Sequence, residues 1–392
     1  MPLAVVRMPQ SADADAPVER AVPTVAVVIA AHNEESCIES TLRAALSQDY
    51  PVSMVLVVAD NCTDATVSIA NSIPGVTVVE TVGNRHKKPG ALNLAWSLFK
   101  DDIEYFACLD ADTIITTDAV RLWVEQMLVE PATGGISARF TMQPKPENTA
   151  WENLLARLQK AEFAQWTDTA LGRGGRTTVL AGTACMVSVA ALDAVNAMRL
   201  AEGVDDGPWS YSSDVEDFEL TYRMRQLGYD AKVSYTVRAY TDAMVSLKTL
   251  WAQRMKWQGG TVDDLLRIGI NRLTWRDWGQ QALGLMAAMV RISWIAMTLV
   301  YCAIGTLNVN FLWLLIPLLF IANDVKKSMR VPHRDWKDVL LAALLLPQEL
   351  FAWVRAGWFL KSWAECLVQR ITGKTKDRWA AQISAEATLI SL

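Results

Sequence analysis

Histidine is scarce, cysteine is never paired in sequence, and neither sign of charge dominates. The chain of 392 residues carries three histidines, too few for a His-rich metal centre. Its six cysteines, Cys37, Cys62, Cys108, Cys185, Cys302 and Cys366, are scattered with no C-x-x-C pair. That spacing argues against a zinc site or a disulfide frame and for reduced thiols. A formal net charge of -5 gives no basic footprint for nucleic acid. Residues 1–20 have no apolar run of signal-peptide length and are rich in Ala, Asp and Pro, so a mobile tail is expected there. No internal repeat or low-complexity tract occurs, and nothing in the sequence speaks to oligomeric state.

Apolar residues, by contrast, are in surplus. They make up 52% of the chain and crowd beyond Gln280. The stretch 282–304 would be about 35 Å long as a helix, enough for an apolar bilayer core of about 30 Å. Arg291 lies inside it and costs about 2.5–3.5 kcal/mol there unless it faces protein or snorkels. The stretch 307–322 is shorter, about 24 Å. The link after it carries Lys326, Lys327, Arg330, Arg334 and Lys337, which places it in the cytoplasm by the positive-inside rule. A third apolar stretch, 339–360, is interrupted by Pro347, Gln348, Glu349 and Arg355. Two crossings plus a re-entrant or interfacial helix satisfy both this link and the basic tail at 362–392. Three crossings would put one of them outside. The expected division is therefore a catalytic unit at 21–265, membrane and interfacial helices at 266–361, and a cytoplasmic tail.

Before the membrane region the pattern is α/β. Continuous β-branched or apolar runs at 25–30, 54–59, 76–80 and 105–110 alternate with helical stretches, as in βαβ units of a mostly parallel sheet. Helices are predicted at 35–47, 90–100 (with Pro89 at its first turn), 118–129, 151–171, 213–227 and 246–257, the last ended by Gly259-Gly260. In the helix at 151–171, Trp151, Leu154, Leu155 and Leu158 form one apolar stripe. Ser213 and Glu216 have capping-box spacing. A strand-like run at 178–189 breaks at Gly182-Thr183.

Open α/β sheets place ligands at the carboxyl ends of their strands, and acids stand at those positions here. Asp60 follows the second strand, and Asp110 and Asp112 follow the fourth. Two hard oxygen ligands one residue apart suit Mg2+ or Mn2+ bridging to phosphates. Lys88 and Gly90 open a helix beyond a basic loop, a natural seat for a pyrophosphate. Asp217 has no local capping role and can serve as a general base beside Glu216. Gln253 and Trp257 are one helical turn apart, and Arg254 and Lys256 offer charge for phosphates.

The order Ala31-His32-Asn33-Glu34, Val58-Ala59-Asp60-Asn61, Lys88-Pro89-Gly90-Ala91-Leu92-Asn93, Asp110-Ala111-Asp112, Glu216-Asp217 and Gln253-Arg254-Met255-Lys256-Trp257 resembles the family 2 inverting glycosyltransferases. The likeness covers about 24–260 and is greatest to the membrane-integrated branch that holds the cellulose, hyaluronan and poly-N-acetylglucosamine synthases. It implies a GT-A fold, Rossmann-like, followed by transmembrane and interfacial helices. It implies a nucleotide diphosphate-sugar donor, expected to be UDP-linked, and a glycan, lipid-linked or protein-linked acceptor. By that resemblance Ala31 to Glu34 and Asp60 line the nucleotide pocket, with Lys88, Gly90, Ala111, Gln253, Arg254 and Lys256 also on the donor. Asp112 and Asp110 hold the metal, Asp217 with Glu216 deprotonates the acceptor, and Trp257, Gly182 and Thr183 meet the acceptor.

Lys256 stands where the family usually has arginine, and Val215 where it usually has threonine. The apolar region is small and none precedes the first strand, which favours transfer over extrusion of a polymer, although a processive synthase is the alternative. A nucleotidyltransferase is disfavoured because the loop after the first strand, 31–35, has no glycine. A catalytically silent scaffold is disfavoured because Asp110, Asp112 and Asp217 are all present.

Overall fold

The computed structural model describes residues 22–142, 145–306, 315–331, 334–374 and 376–390. The expected tail at 1–20 and the first part of the second apolar stretch, 307–314, lie outside them.

The chain opens with β1 (Val25–Ala31), α1 (Ile38–Leu46), β2 (Met54–Ala59), α2 (Thr66–Ser72), β3 (Val76–Glu80), α3 (Lys87–Phe99) and β4 (Tyr105–Asp110). Alternate residues of β1 feed two apolar layers, which is why the strand is apolar throughout. Val25, Val27, Ile29 and Ala31 pack with Ile38 and Leu42 of α1 on one face. Ala26 and Val28 pack with Ala91, Leu92 and Ala95 of α3 on the other. The strands β3, β2, β1 and β4 lie side by side and parallel. The chain builds outward from β1 on one side and then returns to add β4 on the other. That reversal leaves a crevice between β1 and β4, where such sheets hold ligands. The register pairs Ala31 with Ala59 and Ala30 with Asp110, so the acids that follow β2 and end β4 flank the exit of β1.

Beyond β4 come β5 (Ile114–Ile115), α4 (Ala119–Val129), β6 (Thr133–Met142), α5 (Ala150–Leu171), β7 (Ala184–Ser188), α6 (Val189–Ala201), α7 (Glu216–Gln226), β8 (Asp230–Thr241) and α8 (Leu247–Ile268). β7 is antiparallel to β4, and the described sheet of eight strands is mixed, in the order β3-β2-β1-β4-β7-β6-β8-β5. The strand-like run at 178–189 contributes only β7, because Val189 already begins α6. Neither α6 nor β8 was expected from the sequence. Trp151 does not join its stripe: it is 53% exposed, while Leu155 and Leu158 are buried.

Three helix boundaries differ for physical reasons. α3 begins at Lys87, ahead of Pro89, because proline's missing N–H costs nothing anywhere in the first turn. The capping box at Ser213 does not form. Val215 is the N-cap, and Ser213 Oγ donates to Asp264 on α8 at 2.7 Å instead. α8 runs straight through Gly259-Gly260 to Gly269. Those glycines are there for close approach: a Cβ on Gly260 would lie 3.0 Å from Val215, and one on Gly259 2.5 Å from the Arg378 side chain.

The C-terminal part consists of α9 (Trp275–Ala303), α10 (Leu315–Ser328), α11 (Trp336–Ala343), α12 (Leu345–Thr372) and α13 (Arg378–Ile390). α9 is the helix among the described residues that is long and apolar enough to cross a membrane. α11 and α12 form a pair bent by 77° that together pass the same test. Arg291 faces protein, its Nε 3.1 Å from Glu349. The described residues of the stretch 362–392, expected as a tail, are instead built into the fold: α12 continues to Thr372 and α13 packs on α8. Arg378 anchors α13 through Asp214 at 2.9 Å and Asp263 at 2.6 Å.

A methyl at Gly259 would expel the Arg378 side chain. Loss of its buried charged hydrogen bonds, about 1.5–3 kcal/mol, exceeds the roughly 1 kcal/mol of helix propensity gained. Gly259→Ala should therefore lower stability by about 0.5–2 kcal/mol in urea unfolding and make the α13 end of the chain more sensitive to protease.

Candidate active site

A cavity of about 1400 Å³ opens at the carboxyl ends of β1, β2 and β4 and runs on to α9, α12 and α13. Of the residues singled out in sequence, it gathers Ala31, His32, Asn33, Glu34, Asp60, Lys88, Asp110, Ala111, Asp112, Gly182, Thr183, Glu216, Asp217, Gln253, Arg254, Lys256 and Trp257. Gly90 is the exception. It lies behind the wall, where a Cβ would stand 2.2 Å from Asn84 Oδ1. Its service is to admit Asn84, which donates to Asp60 Oδ1 at 2.8 Å. Thr81 and Asn61 donate to the same oxygen at 2.7 and 3.0 Å, so three donors fix the orientation of the Asp60 side chain. His32 Nδ1 lies 2.5 Å from the Asp60 carbonyl.

The backbone around this end is strained. Asn33, Asn61 and Lys87 are the described non-glycine residues with positive φ, at 57°, 50° and 56°. All three line the cavity. Such conformations persist where surrounding contacts enforce them, and they cluster at functional sites. Asn33 is held by its Oδ1, which accepts from the Thr63 N–H at 2.7 Å.

Lys88 sits at the centre. Its ammonium pairs with Asp110, donates to the Gly182 carbonyl at 3.0 Å and stands 4.0 Å from Glu216. Burial pushes this group down, but Asp110, Glu216 and Asp217 outweigh it and hold it charged, above the usual lysine range. Asp217 follows at the start of α7. Its Oδ1 accepts from the Phe218 N–H at 2.8 Å and its Oδ2 from the Gly182 N–H at 3.3 Å. Burial raises both Glu216 and Asp217 above the ordinary carboxylate range, against the pull of Lys88 and Lys256. Because the capping box is absent, Glu216 turns its side chain to Lys88.

Asp112 Oδ2 accepts from Thr241 Oγ1, and its Oδ1 from Thr113 Oγ1, each at 3.1 Å. Burial, then the neighbouring Asp110, pushes Asp112 up to about 6. Burial and the charges of Asp112 and Asp110 push Glu34 up to about 7. This surplus of buried negative charge fits a divalent cation with oxygen ligands. Asp110 and Asp112 would hold it. No group of three or more His, Cys, Asp or Glu gathers for a metal among the described residues, so donor oxygens and water would complete its shell.

The two cations of the 253–257 motif part company. Residues two apart on a helix point about 200° from one another. Lys256 lies toward Glu216, Asp110 and Glu386. Arg254 turns instead to Glu162 at 2.9 Å and stacks among Trp257, Phe163 and Trp166, 4.4, 5.1 and 5.5 Å from their ring centres. The expected donor-side place of Arg254 is therefore corrected to the opposite wall. Trp257 lines the cavity as part of that aromatic cluster. Sequence reasoning missed Glu162, Thr241, Trp379 and Glu386. Trp379 of α13 covers the Lys256 ammonium at 3.3 Å from the ring centre, and nothing local in sequence links two residues so far apart.

Residues 26–195 match the sequence model of Glycosyl transferase family 2. Over that stretch the chain is similar to the family 2 glycosyltransferases. It is 24% identical over 277 residues to a poly-beta-1,6-N-acetyl-D-glucosamine synthase of Staphylococcus aureus (strain COL), covering 71% of this chain and 64% of that protein. It is 27% identical over 298 residues to the Staphylococcus epidermidis protein of the same name, covering 74% and 66%. The chain thus spans just under two thirds of the length of these curated relatives. The fold is shared with a mannosyltransferase from Pyrobaculum calidifontis solved with GDP-Man and Mn2+. That likeness has a TM-score of 0.52 at 20% identity and covers 85% of this chain and 88% of that one. The matched stretch ends before α7, so the acid pair and the 253–257 helix lie outside that match.

Asp264, which holds Ser213 next to the acid pair, is buried and pushed up to about 7, burial outweighing its Arg267 partner. A carboxyl raised in the fold binds more protons there than in the unfolded chain. Its stabilisation is complete below about 4 and is lost as pH rises to about 7. Asp264→Asn cannot titrate. Urea-unfolding stability of this variant relative to wild type should therefore climb between about pH 4 and 7 and level off above.

Proposed function

We propose that the chain is a membrane-bound, inverting glycosyltransferase that moves a sugar from a nucleotide diphosphate-sugar, UDP-linked, to an acceptor hydroxyl. The observation that carries this reading is the single cavity in which Asp110 and Asp112 face Glu216 and Asp217 across Lys88. Acids that invite a cation and a raised acid that can take a proton meet at one strand end. The family match and the printed names of the relatives support the same class.

Asp60 and the loop at 31–34 would hold the nucleotide, and Lys88 and Lys256 the diphosphate. A bound Mg2+ or Mn2+ would supply charge neutralisation for the departing diphosphate. Asp217 takes the proton from the acceptor hydroxyl, whose oxygen forms the new bond to the anomeric carbon. The bond from that carbon to the diphosphate oxygen breaks, and its electron pair leaves with the nucleotide. One displacement from the opposite face inverts the centre. The hydrogen bonds from the Gly182 and Phe218 N–H groups orient the Asp217 carboxylate, and its burial makes it a stronger base than a solvated one. Placing the unit on the cytoplasmic face follows from the basic link at 324–337. A processive synthase is the second reading, favoured by the extension of the cavity to α9 and α12 and by the names of the curated relatives.

Asp217→Asn should lower kcat about 10²- to 10⁴-fold while leaving donor affinity by calorimetry within about twofold; turnover near wild type would remove Asp217 as the base. Chelation of divalent metal, with Asp112→Asn as its genetic counterpart, should abolish transfer and weaken donor binding. Full activity in excess chelator would refute the role of the two aspartates.

A further inference from the structure

The far end of the cavity differs in chemistry from the donor end. There the guanidinium groups of Arg254 and Arg355 share one carboxylate, Glu162, at 2.9 and 3.6 Å. Arg291 pairs with Glu349 at 3.1 Å. Cations therefore outnumber acids by one among these groups. Arg254 is 3% exposed, lines the cavity, and its Nε has no hydrogen-bond partner. A buried guanidinium donor left open beside a second arginine is costly unless an anion meets it. The Arg355 side chain is 46% exposed and free to swing onto such an anion.

Directly beyond lies a slot between α9 and α12. Gly284, Ala287 and Ala288 on α9 and Ala352 and Ala356 on α12 line it, together with the rings of Trp358 and Phe359. α9 is the candidate membrane span, with Leu283, Leu285, Met286 and Met289 exposed alongside. A polar cavity that continues into an apolar slot beside a candidate membrane-spanning helix matches a molecule with a charged head and a hydrocarbon tail. A free sugar chain would leave both the slot and the arginine excess unused.

The geometry points to an acceptor that is a lipid-linked phosphate: Arg254 and Arg355 take the phosphate, the tail lies between α9 and α12, and the sugar it carries reaches Asp217. This rests on the transferase reading above and names its acceptor class.

The test uses the full chain in detergent micelles and follows tryptophan fluorescence, since Trp166, Trp257 and Trp358 line the cavity. The probes are a polyprenyl phosphate, the uncharged polyprenol of equal length, and inorganic phosphate. The phosphate lipid should bind wild type about tenfold tighter than the alcohol, the worth of one charge-assisted contact, and inorganic phosphate should not displace it at equal concentration. Arg355→Gln should erase that preference and keep binding of the alcohol. Ala287→Leu, at an exposed position in the slot, should weaken both lipids about tenfold. Equal affinity of wild type for the two lipids, an unchanged preference in Arg355→Gln, or displacement by inorganic phosphate would overturn the inference. Calorimetry with a nucleotide diphosphate-sugar on wild type separates the two readings. Donor binding without a phosphate-lipid preference sinks the acceptor class alone, whereas absent donor binding sinks the transferase reading.

Discussion

The buried ammonium of Lys88 holds the site together. It joins the first turn of α3 to the end of β4 through Asp110, to the loop before β7 through the Gly182 carbonyl, and to the start of α7 through Glu216. Those segments are far apart in sequence and belong to different layers. Without a cation at that point, the buried Glu216 and the partly buried Asp110 and Asp217 would face one another uncompensated at a strand end, which is costly. With it, Glu216 and Asp217 can stay raised at the start of α7 while Asp110 is paired with Lys88 beside Asp112.

The rest of the architecture serves that point. β1 is apolar on both faces because a layer of helices covers each, and this fixes the level at which β2 and β4 end. The reversal of strand order between β1 and β4 opens the crevice. α8 must pass close behind α7, and Gly260 lets it do so against Val215. Gly259 in turn makes room for Arg378, so the C-terminal helix covers the cavity and brings Trp379 onto Lys256. The catalytic unit and the C-terminal helices thus share one cavity wall. The α5–α11 contact adds to this: Arg157 and Lys160 grip Asp338, which lies with Asp335 in the first turn of α11. The bent helix pair is therefore fixed to the catalytic unit by a partly buried charge network, not by apolar contact alone.

Much of this was legible in the residues. The apolar runs predicted β1, β2, β3 and β4 closely, because a strand covered on both faces must be apolar throughout. Acids placed directly after such strands marked the cavity, because strand ends are where a parallel sheet leaves room. The surplus of apolar residues after Gln280 marked α9. The misreadings share a cause. Gly259-Gly260 looked like a stop because glycine frees the backbone, yet here it serves close packing against Val215 and Arg378. Ser213 and Glu216 had capping spacing, yet each found a stronger partner elsewhere, Asp264 and Lys88. β8 was missed because it is a mixed polar and apolar strand whose burial depends on its neighbours.

The sequence by itself determined the fold class, the strand ends and the identity of the acids, since period, branching and strand-terminal charge are local properties. Only the tertiary structure decided which way each charge faces. Arg254 and Lys256 are two residues apart on one helix, so geometry sends them to opposite ends of the cavity. Which end gathers the acids and which the excess of arginine depends on what α5, α12 and α13 bring to meet them, and no local pattern encodes contacts between such distant segments.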